Sequence, residues 1–242
     1  MGEHPGLGLN RAALAGLLPI LLVNDAAMMA LHEAYARTVD HLPTFLALHD
    51  PRFSLSYDGG VAERVEYLKS AATVIALAVC ARREQTRLFW ALAAVHLWLL
   101  LDNVFRLHER AGYLAGLLVA PDGGLTLSSR DLGQPLAFAA IGAGLALLLW
   151  RAWPPRPDLR RLGGLMILAA ASIAVFAVGV DTLHASALGP MFGDRFWVLL
   201  EDGGETVVLS LNCALAVAFA LSPYRAPQQT ASDPLGRAAS VR

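Results

Sequence analysis

Charged residues are scarce in this sequence. Asp, Glu, Lys and Arg make up 16% of its 242 residues, and lysine occurs only at position 69. Soluble domains are about a quarter charged, whereas here 56% of the residues are hydrophobic and the mean hydropathy is +0.50. This composition argues against a soluble globular domain and predicts a protein of the lipid bilayer.

Cysteine is also scarce, which excludes a fold held together by disulfides. The two cysteines, Cys80 and Cys213, both fall within apolar segments. Free cysteine behaves as a small, usually buried apolar side chain. We therefore expect both thiols to fill space between helices rather than to form a disulfide.

Long apolar runs, in contrast, are abundant. A helix needs about 20 mainly apolar residues to cross a bilayer, and six segments approach this length: 12–31, 67–81, 88–103, 135–150, 162–180 and 196–221. We predict an all-α, polytopic protein with six transmembrane helices arranged as three hairpins. Residues 1–222 would form a single bundle, and residues 223–242 a disordered cytoplasmic tail.

The distribution of charge predicts the orientation. Arginines are concentrated in the short connections 81–87 and 151–161 and in the tail, and basic short loops are typical of the cytoplasmic face. Both termini are therefore expected in the cytoplasm of a bacterium, with the bundle in its inner membrane. Of the 20 acidic residues, 16 fall in the predicted external loops or at the external ends of helices.

Polar residues recur at the external ends of the predicted helices. Leu-His pairs occur at 31–32, 107–108 and 183–184, each preceded by an aspartate, namely Asp25, Asp102 and Asp181. In the last helix Glu201 and Glu205 are spaced i, i+4, so they share one face. Between them, Gly203 and Gly204 should let a neighbouring helix approach closely. Four helices thus place carboxylates or imidazoles at a similar depth.

Mixed histidine and carboxylate side chains at this spacing are suitable ligands for Zn, Fe or Mn. Asp181 and His184 have the i, i+3 spacing of ligand pairs in di-iron bundles. We predict a site for one or two divalent metal ions, with Glu109 and Asp102 as the catalytic residues. The predicted ligands are His32, His108, Asp181, His184, Glu201 and Glu205.

Two short patches resemble bacterial multi-pass membrane proteins of uncharacterised activity. One is Leu101-Asp102-Asn103-x-Phe105-x-Leu107-His108-Glu109, and the other is Glu201-Asp202-Gly203-Gly204-Glu205. The resemblance implies a multi-pass membrane fold and no particular reaction.

The function favoured by these patterns is a metalloenzyme, either a hydrolase or a di-metal oxidoreductase, acting on a lipid or another hydrophobic substrate. Ionisable groups are costly at membrane depth and are retained where they have a role. A cation or proton transporter or channel, and a non-catalytic membrane subunit, are the alternatives. The cytoplasmic halves of the helices contain few ionisable groups, which favours a one-sided site. The expected partners are membrane lipids, and no nucleic acid is expected.

Overall fold

Nine α-helices make up most of the computed structural model, which describes residues 9–41, 50–119, 129–154, 156–185 and 189–223. A 3-10 turn, Pro51–Phe53, precedes α2, and a π-helical turn, Val175–Val180, joins α6 to α7. No β-strand occurs within these ranges. The helices are α1 (Arg11–His41), α2 (Val61–Glu84), α3 (Arg87–Phe105), α4 (Leu107–Val119), α5 (Ser129–Arg151), α6 (Pro157–Ala174), α7 (Asp181–Ala185), α8 (Gly189–Phe192) and α9 (Asp194–Ala220).

Polar contacts bring several helix ends together at one end of the bundle. The backbone N–H of Asn10, just before α1, donates to the Ala218 carbonyl near the end of α9 at 3.2 Å. Arg83, near the end of α2, donates to three carbonyls at the C-terminus of α9 at 2.7 to 2.9 Å. Arg156, just before α6, lies 3.3 Å from Glu84. We call this end the arginine end and the opposite one the acidic end.

Four helical segments are long and apolar enough to cross a membrane: Arg11–Thr38, Arg87–Phe105, Leu159–Val180 and Asp194–Ala220. They correspond to the first, third, fifth and sixth predicted spans. The second predicted span lies in α2, which carries seven charged residues and is not among these segments. The fourth lies in α5, whose apolar part, Pro135–Arg151, is shorter than the four candidate spans. The helices thus support an all-α membrane protein with four candidate spans.

The arginine end contains a closely packed apolar core. Leu77, Leu88 and Met166 are fully buried there, and the rings of Phe89 and Phe219 lie 5.0 Å apart. Cys80 belongs to this core, and both cysteines are buried and free, which confirms the expectation that they form no disulfide.

Two glycines of α9 confirm the prediction of close helix packing. A Cβ atom on Gly203 would lie 2.9 Å from the Met29 Cε of α1, and one on Gly204 would overlap the ring of Phe176 in the π-helical turn. The glycines therefore let α1 and the π-helical turn approach two adjacent faces of α9 at the depth of its acidic residues.

The helix that contains the third predicted span, 88–103, ends at Phe105. The i, i+4, i+7 spacing of Asp102, Arg106 and Glu109 predicts one continuous helical stripe. This prediction is wrong, because Arg106 adopts a left-handed conformation with φ +51° and interrupts the helix. The Asp102 carboxylate accepts the His108 backbone N–H at 2.7 Å and so provides a partner for the first turn of α4. As a result, Glu109 lies on a separate helix, which the sequence analysis did not predict.

The helices α4 and α5 form an antiparallel hairpin with very close backbones. A Cβ atom on Gly133 of α5 would overlap the backbone of Gly112 and Gly116 in α4. The two helices are also in contact through their rings, because His108 of α4 lies 4.9 Å from Phe138 of α5.

Candidate functional site

A polar cavity of about 370 Å³ lies at the acidic end of the bundle, and we call it the polar pocket. Its walls come from α2, α7, α9, the α3–α4 junction and the segment before α2. Seven carboxylates line it, together with two histidines and one arginine. These residues are Asp58, Glu63, Glu66, Glu109, Glu201, Asp202, Glu205, His108, His184 and Arg106.

The polar pocket brings together five of the eight residues that the sequence assigned to the site. They come from three separate helices: His108 and Glu109 from α4, His184 from α7, and Glu201 and Glu205 from α9. Their common depth in the bundle was the basis of the prediction, and they do face one cavity.

The other three predicted residues do not line the polar pocket. Asp102 and Asp181 line an adjoining apolar cavity. His32 is buried elsewhere, where its Nδ1 accepts the backbone N–H of Leu55 at 3.2 Å. His32 therefore anchors the segment before α2 to α1, and it borders neither cavity.

Asp102 fixes the orientation of His108. One carboxylate oxygen accepts the His108 backbone N–H, and the other lies 2.9 Å from its Nδ1. A carboxylate on one ring nitrogen leaves Nε2 as the nitrogen that can bind a metal ion or exchange a proton, an arrangement common around metal-binding histidines.

His184 lies on α7, directly after the π-helical turn that ends α6. Such turns shift all later side chains around the helix axis and are frequent at functional sites. The His184 ring stacks on Trp197 with centroids 5.7 Å apart, and its Nε2 lies 3.3 Å from the exposed Asp194 carboxylate. Trp197 thus supports the imidazole at the edge of the pocket.

Negative charge exceeds positive charge in the polar pocket. Arg106 forms an ion pair with Asp58, and Glu63 accepts hydrogen bonds from the Gly59 N–H and the Tyr67 hydroxyl. No second arginine or lysine is found among the described lining residues. The carboxylates of α9 and Glu66 thus line a cavity whose charge favours a cation.

Glu66 lies before the second predicted span and outside the four candidate spans. Burial raises the pKa of its carboxyl to about 7, and the nearby Asp202 and Glu63 act in the same direction. A hydrogen bond from Thr206 and the charge of Lys69 act in the opposite direction. Because these effects on its pKa oppose one another, the ionisation of Glu66 depends on the charge of any ligand in the pocket.

An apolar cavity of about 470 Å³ adjoins the polar pocket and lies among α3, α5 and α6. The two cavities share five lining residues, which form their common boundary. These residues are Asn103, His108, Glu109, Glu201 and Glu205. Small side chains, including Gly142 and Ala146 of α5 and Ala170 and Ala174 of α6, leave the space open.

The apolar cavity is elongated along the helices. Its lining residues on α5 extend from Phe138 to Leu149, which corresponds to about 16 Å at the usual rise of an α-helix. Half the hydrocarbon core of a bilayer is about 15 Å thick. The cavity therefore has the length of a lipid chain in one leaflet.

The side chains as positioned do not form a metal centre. No group of three His, Cys, Asp or Glu residues within the described parts of the chain is arranged to hold a metal ion. Four of the six predicted ligands, His108, His184, Glu201 and Glu205, line the polar pocket.

Two prominent features of the structure, Glu66 and Lys69, have only a weak signal in the sequence. Glu66 was visible as the start of an i, i+4, i+7 stripe with Ser70 and Thr73, yet it was not assigned to the site. Lys69 forms a buried ion pair with Asp25, 44 residues earlier in the chain. No local spacing indicates such a pairing, although a lysine within the apolar segment 67–81 is itself a signal that a partner is required.

A family model described as a domain of unknown function (DUF8692) matches residues 65–219, which include α3 to α9 and most of α2. No curated protein and no solved structure matches this sequence.

Proposed function

The chain belongs to the DUF8692 family, and we propose that it is a membrane enzyme that uses a divalent metal ion to act on a lipid-like amphiphile. The polar head of the substrate would occupy the polar pocket, and its apolar chain the apolar cavity. In this proposal the arginine end faces the cytoplasm of a bacterium, the acidic end faces outward, and six helices cross the inner membrane.

The observation that carries the proposal is the shared boundary of the two cavities. His108, Glu109, Glu201 and Glu205 border both of them. A molecule with a polar head and an apolar chain would therefore place the bond between its two parts beside an imidazole and three carboxylates. Binding cavities of 300–1,000 Å³ with a few convergent polar groups are typical of small-molecule sites.

The length of the apolar cavity favours a lipid chain over a compact apolar ligand. A chain held along α5 from Phe138 to Leu149 would remain at the depth it has in a leaflet. Its head would then be at the level of the polar pocket. Binding would require little displacement of the lipid along the membrane normal.

The excess of carboxylates over basic side chains in the polar pocket supports binding of a metal ion. His108 is the leading ligand, because Asp102 occupies its Nδ1 and leaves Nε2 for a metal ion. Glu201, Glu205 and His184 are the other proposed ligands on the pocket wall. A bound Zn, Fe or Mn ion would supply a polarised water or a redox centre, and Glu109 would act as the general base on the substrate side.

A cation or proton carrier is the second candidate. It is favoured by further buried polar groups, since Asp25 accepts hydrogen bonds from both Lys69 and Ser210. The core at the arginine end is packed with buried apolar side chains such as Leu77, Leu88 and Met166. A continuous path would have to cross that core, so the one-sided enzyme is the better-supported reading.

The test combines metal and lipid analysis of protein purified without chelator. Gly142 lines the apolar cavity and Gly144 does not, and a Cβ at either position meets no atom within 4 Å. We expect the wild type and Gly144→Leu to retain a stoichiometric amphiphile, and Gly142→Leu to lose it. Equal retention by both variants would refute the placement of the chain.

Metal content is compared between Glu205→Gln and Glu33→Gln. Glu33 lies on α1, lines neither cavity and forms an i, i+4 pair with the exposed Arg37. We expect bound Zn, Fe or Mn to fall steeply for Glu205→Gln alone. A wild-type protein that binds none of these ions when supplied with them would exclude the metalloenzyme and favour the carrier.

A further inference from the structure

The apolar cavity ends against the packed core of the bundle. Among its described lining residues, Leu92 of α3, Leu149 of α5 and Ile167 of α6 lie nearest to the arginine end on their helices. Leu92 belongs to the apolar core at that end, and Leu149 and Ile167 pack against it. We call these three residues the floor, because the cavity stops where the core begins.

The space beyond the floor is filled by side chains. Leu88 of α3 and Leu162 of α6 lie about one turn further toward the arginine end, and both are fully buried. A Cβ atom on Gly163 would lie 2.6 Å from the Leu88 side chain, so α3 and α6 are already in close contact there. Additional carbon atoms in such a packed interior would force side chains or backbone to shift. A chain in the cavity therefore cannot continue past the floor along the helices.

Two helices give the same length for the cavity. On α3 its lining residues extend from Leu92 to Asn103, or about 16 Å at the usual rise of a helix, and on α5 the residues from Phe138 to Leu149 span an equal length. Asn103 lies at the boundary with the polar pocket. The floor is therefore at a fixed distance from the place where a polar head would bind, and this distance limits the length of the attached chain.

We infer that the floor makes the site selective for chain length, and that Leu149 and Ile167 are specificity-determining residues. This inference rests on the proposed function, which places one chain in the apolar cavity. It narrows the substrate class to amphiphiles whose chain ends at or before the floor. A longer chain must bend or withdraw its head from the polar pocket, and a single methylene group in an apolar pocket changes selectivity by about 10-fold or more.

The experiment uses lysophosphatidylethanolamines that differ only in the length of their single saturated chain. Pairs of these lipids compete for the whole protein in nanodiscs, and native mass spectrometry measures the ratio of the two bound forms. We expect the wild type to show a cut-off in length, beyond which each added methylene group weakens binding by about 10-fold. Leu149→Ala and Ile167→Ala remove atoms from the floor and should move the cut-off to longer chains.

Leu145→Ala is the matched control. Leu145 also lies on α5 and lines the same cavity, but it is one turn nearer to the acidic end than Leu149. Its truncation widens the cavity without changing the floor, so the cut-off should stay at the wild-type length. Ala170→Leu should move the cut-off to shorter chains, because Ala170 lines the cavity one turn above Ile167. This variant adds atoms instead of leaving a void beside the core, so it tests the inference even if the truncations reduce stability.

The outcomes separate this inference from the proposed function. A wild type without a cut-off, or a cut-off that is the same in Leu149→Ala, Ile167→Ala and Ala170→Leu, would overturn the inference and leave the amphiphile site intact. An equal shift in Leu145→Ala and Leu149→Ala would also overturn it, because the volume of the cavity and not its length would then set the preference. If the wild type binds no member of the series, the placement of the chain in the proposed function fails, and the inference fails with it.

Discussion

Removing the charge of Lys69 should destabilise the protein more than most single substitutions. Lys69→Met preserves the length of the side chain and leaves Asp25 buried with only the Ser210 hydroxyl as a partner. Removing one member of a buried ion pair costs about 3–5 kcal/mol. We expect a loss of about 3 kcal/mol, the lower limit of that range, because Ser210 still satisfies one oxygen.

The loss can be measured by thermal unfolding in detergent. For a chain of this size 1 kcal/mol corresponds to about 2–4 °C in the midpoint, so a decrease of about 6–12 °C is expected. The double variant Asp25→Asn with Lys69→Met removes both charges and should recover to within about 1 kcal/mol of the wild type, since uncharged replacements of buried pairs are often neutral.

An exposed pair provides the control. Arg37→Met breaks the contact of 3.6 Å with Glu33, where the arginine side chain is 73% exposed, and should cost less than about 1 kcal/mol. The reasoning is refuted if Lys69→Met unfolds at the wild-type temperature. It is also refuted if the double variant is as unstable as the single one, because the unpaired charge would then not be the cause.

Three further predictions concern the scaffold. Arg83→Ala removes three hydrogen bonds to carbonyls at the C-terminal end of α9 and should lower the free energy of unfolding by about 2 kcal/mol. In the same thermal unfolding assay, Arg82→Ala should have little effect, because Arg82 is exposed. Gly133→Leu should separate α4 from α5, because no Cβ fits at this position. The hairpin of the variant should then be cleaved faster by protease. A variant as resistant to protease as the wild type would contradict the close contact. Reporter fusions at Pro155 should indicate the cytoplasm and those at Asp58 the outside, and a cytoplasmic signal at Asp58 would exclude six spans.

The sequence was sufficient to predict which helices carry the polar residues and at which end. The depth of Glu201, Glu205, His108 and His184 follows from their distance along apolar helices, because a helix rises regularly with each residue. Close packing at Gly203 was also predictable, because a residue without a side chain lets a neighbouring helix approach.

Other features depend on the tertiary arrangement and were not accessible. The break at Arg106 depends on a bond between Asp102 and the backbone of the next helix, which local propensity does not reveal. The apolar cavity is lined by ordinary residues such as Ala170 and Leu145, and a gap between helices has no signature in composition. The position of His32 away from both cavities was not predictable, because its partner, Leu55, is distant in the sequence.

The central claim is that one molecule occupies both cavities, with its chain along α5 and its head among the carboxylates. An electron cryomicroscopy structure of the protein in nanodiscs made with native bacterial lipids tests this directly. We predict elongated density from Phe138 to Leu149 that is continuous with density between Glu109 and Glu205. The account would be contradicted by a map in which side chains close the apolar cavity, or in which the two cavities contain no connected density.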